Sequence, residues 1–507
     1  MWIRAASLFV LATSGVALAN EPMSAIDWLS KSVNEKPAPG IPVEIPATPA
    51  LPGEINVTRL DEIRKDSVGL LPSGVSGLPA DFWAGSSTLT IADLIARQKT
   101  DALPEVLSLL YTILLAELDA PEDDTGQATL LLARTDKLLD LGALQQAQAL
   151  LERAGPTEAA IFRRWFDVSL LTGHADHACT AMRASPGFAP TLQARVFCLA
   201  RGGDWNAAAL TLATGETLGF VSHAEADLMS RFLDPGMFEG DLDLPPPKPM
   251  TPLDFTMREA IALPRPPGPL PLAFANADLD RSAAWRSQLT AAERLVRTQA
   301  LAPNHLIDLY TARHPAASGG VWDRVAAIGA FDVAMLAGDR AAIAASLPKA
   351  YGMMQEIALE VPFSRHYGDR LAGFEFSDPT AAATAFKVAL LSDGYETAVA
   401  RFEPANARDR FLKALATGQL QGVPPPDLLS EVIAQAFLEP LPEGALANLL
   451  AEGKLGEAIL HAMLLLANEA FADPGDIRTA LAVFRAVGLE SEARKTAIQL
   501  LLLERRG

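Results

Sequence analysis

Between Leu141 and Gly219 the chain reads LGALQQAQALLERAGPTEAAIFRRWFDVSLLTGHADHACTAMRASPGFAPTLQARVFCLARGGDWNAAALTLATGETLG. Three pieces of it, GALQQAQALLERAG, GHADHACTAMRASPG and GGDWNAAALTLATGETLG, each start at a glycine and continue as a helix. Apolar residues recur three and four apart, the spacing of one helical face. Aligned on the small residues Ala147, Ala178 and Ala208, the pieces repeat at offsets of 31 and 30 residues. A unit of that length holds two helices and two turns, which is how a helical solenoid is written in sequence.

These units resemble the tetratricopeptide-repeat (TPR) family. That pattern places a bulky residue at the opening of helix A and a small residue where helices A and B cross. An apolar residue follows four positions later, often with a closing proline. Phe162, Ala178, Met182 and Pro190 stand in those slots in one unit. Leu192, Ala208 and Leu212 fill the first three in the next, and Leu131, Ala147 and Leu151 fill them in the unit before. The helix-A tyrosine slot departs from the family, holding Leu138, Ser169 and Leu199. The resemblance implies an all-α, TPR-like α-solenoid of helical hairpins, whose concave face binds peptide or protein. It carries no activity of its own.

Outward from this core the organisation changes by segment. At the N-terminus, MWIRAASLFVLATSGVALA has one early charge, Arg4, then a short apolar core and Ala17-Leu18-Ala19. That is the pattern of a cleavable export signal over 1–19, cut after Ala19. The other reading is a buried N-terminal helix. Residues 20–54 hold a short amphipathic segment and a proline-rich linker, with six prolines between Pro37 and Pro52. Proline fixes φ and removes a donor, so an extended tether is expected there. Residues 55–90 read as an irregular cap, with Phe82 and Trp83 covering the first helices. A first helical array is expected over 91–233, a proline-rich linker or strap over 234–276, and a second array over 277–507. The strap packs ten prolines between Pro245 and Pro271, with room for a short helix at 253–262. Beyond it helices are expected at 279–300, 303–313, 321–337, 339–360, 379–391, 393–402, 406–416, 426–438, 442–451, 454–470, 474–487 and 489–505.

Composition excludes several classes. The chain has 507 residues, half of them hydrophobic, which rules out a disordered protein. With 42 basic against 61 acidic residues the net charge is −19. Nucleic acid and anionic lipid select basic patches, so neither is an expected partner. A basic or neutral protein partner fits the charge better. The longest apolar run after the N-terminus, Leu107 to Leu118, is 12 residues, too short to span a bilayer. The expected product is therefore periplasmic, with secretion as the alternative, and without a transmembrane segment after signal cleavage.

Candidate chemistry is sparse. Cys179 and Cys198 are 19 apart, with Pro186-Gly187 between them. In an antiparallel hairpin over 174–185 and 189–202 the two lie nearly level, close enough for a disulfide. An oxidising compartment favours the bond, and two reduced buried thiols are the other reading. His174 and His177 flank Asp176 at a helix start, but no second cluster supplies further ligands, so no metal is expected. Tyr351-Gly352-Met353-Met354-Gln355 resembles the GLMQ element of lytic transglycosylases. Those enzymes need a glutamic acid about a dozen residues upstream as general acid. Between Ala330 and Met354 the only acids are Asp332 and Asp339, so Met353 and Met354 read as core filler. No GxSxG, HExxH or P-loop pattern occurs. No catalytic residue and no cofactor is expected.

What remains is binding. Ile26, Trp28 and Leu29 on their proline-rich tether suggest a docking segment, and the alternative is that Trp28 packs back onto the chain's own body. The expected function is a non-enzymatic periplasmic scaffold or assembly factor for protein partners. In layout the chain is similar to alphaproteobacterial flagellar-motor accessory proteins of the MotC and MotK kind. The shared plan is an export signal, proline-rich stretches at 37–52 and 245–271, and helical arrays. That similarity implies a place near the stator. A cell-wall protein related to lytic transglycosylase superhelical domains, without the catalytic glutamate, is the alternative.

Overall fold

The computed structural model describes Ile26, Trp28, Leu29 and residues 64–280, 282–467 and 473–503. The export signal read at 1–19 and the prolines of 37–52 lie outside the described residues. Among the described residues the chain is all-helical, without a β-strand. No helix there is long and apolar enough to cross a membrane.

The first helices are α1 (Ser73–Ser76), α2 (Thr88–Arg97) and α3 (Pro104–Leu115). Three hairpins follow: α4 (Thr129–Asp140) with α5 (Leu144–Ala154), α6 (Ala159–Leu171) with α7 (Ala175–Ala184), and α8 (Leu192–Arg201) with α9 (Trp205–Thr217). Each turns through a glycine in the left-handed region, Gly142 at φ 77°, Gly173 at φ 79° and Gly203 at φ 84°. A side chain is strained in that conformation, so the repeat seen in sequence is a repeat of one backbone requirement. Ala147, Ala178 and Ala208 are fully buried in the second helix of each pair. There a larger side chain would push the helices apart.

The hairpins are fixed locally by their caps. The Thr191 hydroxyl accepts the Ala194 amide and the Asp204 carboxylate accepts that of Ala207. Such a cap contributes about 1 kcal/mol. Next come α10 (His223–Leu233), opened by a capping box of Ser222 and Glu225, and α11 (Pro252–Ala260), opened by one of Thr251 and Asp254. The proline-rich stretch around α11 lies on the body. Arg258 is buried and donates to the carbonyls of Leu244 (2.9 Å) and Pro264 (3.2 Å), and α11 packs against α6 and α10. A 3-10 helix, Leu272–Leu279, then leads into the second half.

That half contains α12 (Trp285–Arg297), α13 (Pro303–Thr311), α14 (Val321–Ala337), α15 (Arg340–Gln355), α16 (Glu360–Leu371) and α17 (Pro379–Leu390). It continues with α18 (Tyr395–Ala400), α19 (Ala407–Ala416), α20 (Leu428–Leu438), α21 (Ala445–Ala451), α22 (Leu455–Leu465), α23 (Pro474–Ala486) and α24 (Glu490–Leu502). The helix α16 has no counterpart in the sequence reading, which ended a helix at 360 and resumed at 379. Pro362 and Gly368 look like breakers there. Pro362 sits in the first turn, where its missing N–H costs no hydrogen bond. Gly368 is needed because a Cβ at that position would stand 2.4 Å from the Ser392 Cβ.

Two cores result. The middle helices, from Leu289 to Val388, pack around Phe331, Phe363 and Tyr367. The other core runs from Ile26 to Phe274 and resumes through Phe386 to Leu503, so the first and last parts of the chain share it. Its seam is explicit: α2 lies on α22 and α3 on α24. Gln98 Nε2 donates to the Leu460 carbonyl at 3.0 Å, and the Gly456 amide donates to the Phe82 carbonyl at 3.0 Å. Phe82 and Trp83, read as a cover for the first helices, are buried against Gly456 at the start of α22.

Candidate functional site

Cys179 in α7 and Cys198 in α8 form a disulfide, with Cα atoms 5.0 Å apart and both residues buried. It ties two neighbouring hairpins across the turn through Pro186–Phe188.

The residues read as a docking segment do not point into solvent. Ile26, Trp28 and Leu29 are buried in the shared core, at 6%, 6% and 1% exposure. The Trp28 ring meets Phe274 edge-on at 5.6 Å, and Phe274 meets Phe255 edge-on at 5.3 Å. In this arrangement the three side chains are spent on the chain's own body, because aromatic and aliphatic surface is driven from water by whichever apolar surface is nearest.

The remaining sequence candidates fall in structural places. His174 precedes α7 and its ring bonds Thr172 at 3.1 Å, while the His177 ring lies edge-on to Trp165 at 5.2 Å. Among the described residues no group of three or more His, Cys, Asp or Glu is arranged to hold a metal. Tyr351 and Met354 are buried in the middle core, with Tyr351 edge-on to Phe363 at 6.1 Å.

The buried charges that sequence reading missed are tied to helix packing. Glu105, near the start of α3, faces Arg365 of α16 at 3.2 Å and Lys495 of α24 at 3.7 Å. Burial pushes its carboxyl above the ordinary range, while the two cations pull it down. Arg365 also donates to Gln299 (3.1 Å) and to the Ser108 hydroxyl (3.0 Å), and the Gln499 side chain accepts the Glu105 amide (2.9 Å). Glu293 accepts from Tyr310 (2.6 Å) and takes both guanidinium arms of Arg324 (2.8 Å each). Arg134, fully buried in α4, donates to the carbonyls of Leu114, Val68 and Ala116, the first and last of these closing the end of α3. These groups hold segments together.

One surface differs. An open cleft of about 530 Å³ lies between the end of α18, α19 and the following Gln419–Pro424 stretch. Its walls include Ala400, Pro404, Ala407, Ala414, Val423 and Pro424. Two cations line it. Lys413 Nζ donates to the carbonyls of Ala400 (3.1 Å) and Phe402 (2.7 Å) and so closes the end of α18. Arg410 is exposed, and its guanidinium has no hydrogen-bond or ion-pair partner among the described residues. An unpaired guanidinium between apolar walls suits a carboxylate carried on an apolar backbone or side chain. Nothing in the sequence around RDRFLKALATGQLQGVPPP marks this site, because α19 has the same period as its neighbours.

No protein-family model, no curated protein and no solved structure matches this chain.

Proposed function

We propose that the chain is a non-enzymatic scaffold of the cell envelope, a TPR-like α-solenoid that binds a protein partner. The observation that carries the reading is the cleft at α19. It offers apolar walls and a free guanidinium, groups that recognise a ligand. The hairpins α4 to α9, each turned through a left-handed glycine, support a repeat architecture of the kind that presents such surfaces. The buried disulfide supports an oxidising compartment, hence the periplasm or the exterior.

The partner's contact at this site is a peptide segment with a carboxylate next to small or apolar residues. Long-range repulsion from a chain of net −19 does not forbid it, because exposed charges more than a Debye length of about 8 Å away are largely screened. Among envelope machines the periplasmic part of the flagellar stator is the first to examine, on the shared layout of proline-rich stretches and helical arrays.

The test is in-cell photo-crosslinking from position 419, on the cleft rim, with mass spectrometry of the adducts. One recurrent adduct to an acidic segment of an envelope protein, lost in Arg410→Glu, is the expected result. Adducts that are scattered, or the same in Arg410→Glu, would overturn the reading.

A further inference from the structure

We infer that the surface built from Phe274 and Phe255 is a docking seat for short tryptophan-bearing segments, and that its resident ligand is this chain's own Ile26–Leu29 stretch, bound reversibly. The inference is independent of the cleft at α19.

The seat is held by contacts that do not involve the ligand. Phe255 belongs to α11, whose start is fixed by the Thr251–Asp254 capping box. Arg265 lies over the outer side of the Phe255 ring at 5.2 Å and is itself paired with Glu259 (2.9 Å) and Asp278 (2.7 Å). Phe274 belongs to the 3-10 helix Leu272–Leu279, which is anchored by Asn276 Nδ2 donating to the Gly142 carbonyl at 2.9 Å. That helix packs along α12. Every one of these supports lies more than 100 positions from Trp28 in sequence, so the seat is preformed by the body.

The ligand has the form of a short recognition segment. The Leu29 amide donates to the Ile26 carbonyl at 3.2 Å, closing one turn that presents all three side chains for burial. Its covalent link to the rest of the body runs from Leu29 to Arg64 and includes six prolines between Pro37 and Pro52. The turn is placed by recognition at the seat. Because the segment belongs to the same chain, it fills the seat in cis and competes with segments of the same chemistry in trans. A competing partner must offer an aliphatic residue two positions before a tryptophan and a leucine directly after it.

The experiment uses the full chain with Trp28→Ala, which empties the main subsite. The probe is a fluorescein-labelled peptide of residues Met23–Val33, followed by fluorescence anisotropy. Saturable binding to Trp28→Ala, at least tenfold tighter than to the wild-type chain, is expected, because the wild-type seat is occupied. The same peptide with its tryptophan replaced by alanine is expected to lose at least tenfold. Equal binding to both chains, or no binding to either, overturns the inference. Loss of the helical circular-dichroism signal in Trp28→Ala also overturns it, since a detachable ligand leaves the body folded.

Discussion

Glu105 in α3 and Arg365 in α16 meet at 3.2 Å across 260 residues of chain. The Glu105 side chain is only 6% exposed and that of Arg365 20%, so the pair is largely buried where α3, α16 and α24 converge. Removing one partner of such a pair leaves a desolvated charge, which costs about 3 kcal/mol or more. Arg365→Ala is therefore expected to lower the urea midpoint by that equivalent. Glu105→Gln is expected to cost less, because the amide retains a polar contact. If Arg365→Ala unfolds at the wild-type urea concentration, the pair is not holding α3 against α16.

Gly456 tests the seam between α2–α3 and α22–α24. A Cβ there would stand 2.6 Å from the Trp83 ring and 2.8 Å from Phe82. In an isolated helix Gly→Ala is stabilising by about 1 kcal/mol. Here overpacking of about 1–3 kcal/mol is expected to outweigh that gain. Gly456→Ala should melt lower than wild type, with the Trp83 fluorescence shifted in the folded state. A higher melting temperature would show that α22 and the Phe82–Trp83 segment are not in contact.

Asp66 gives a pH signature. It is buried, its Oδ1 accepts the Leu131 amide at 2.8 Å, and its Oδ2 has no hydrogen-bond partner among the described residues. Burial raises its pKa above the usual carboxylate value, against the opposing pull of the Leu131 and Leu130 amides and of Arg134. A carboxyl whose folded pKa is raised contributes stability below its unfolded pKa, and that contribution is lost as the pH rises through the folded value. Wild type is therefore expected to lose stability relative to Asp66→Asn as pH goes from about 4 toward neutrality. Chemical denaturation of both chains at several pH values measures the difference, and a flat or rising difference contradicts the assignment.

The disulfide closes a short loop, for which the chain-entropy argument gives about 3 kcal/mol. Denatured, unreduced protein is expected to show no free thiol by Ellman titration. The Cys179→Ala/Cys198→Ala double variant should unfold at lower denaturant while keeping its helical content. Two free thiols in the native isolate would exclude the bond.

Helical content and many boundaries were readable from local pattern. The run read as 321–337 is α14 from Val321 to Ala337, and the short helix read inside the proline-rich strap is α11. Periodicity, caps and turn glycines are local signals, and they act where they stand. The docking triplet was harder. An Ile-x-Trp-Leu turn has one composition whether it seeks a partner or its own body, and only Phe274, 246 positions away, decides between them. The seam was not legible at all. Gln98 and Leu460 are 362 residues apart, and no period in either helix encodes the other. The α19 cleft was equally silent, since a free guanidinium is defined by the absence of neighbours in space.

The seam between α2–α3 and α22–α24 has a mechanical consequence. A row of helices with loose ends stretches like a spring, each unit yielding a little under load. Here α2 packs on α22 and α3 on α24, so an early and a late part of the chain are joined directly. A pull that opens the molecule must first shear Gln98 from Leu460 and Phe82 from Gly456. Load applied between these two parts of the chain falls first on that clasp.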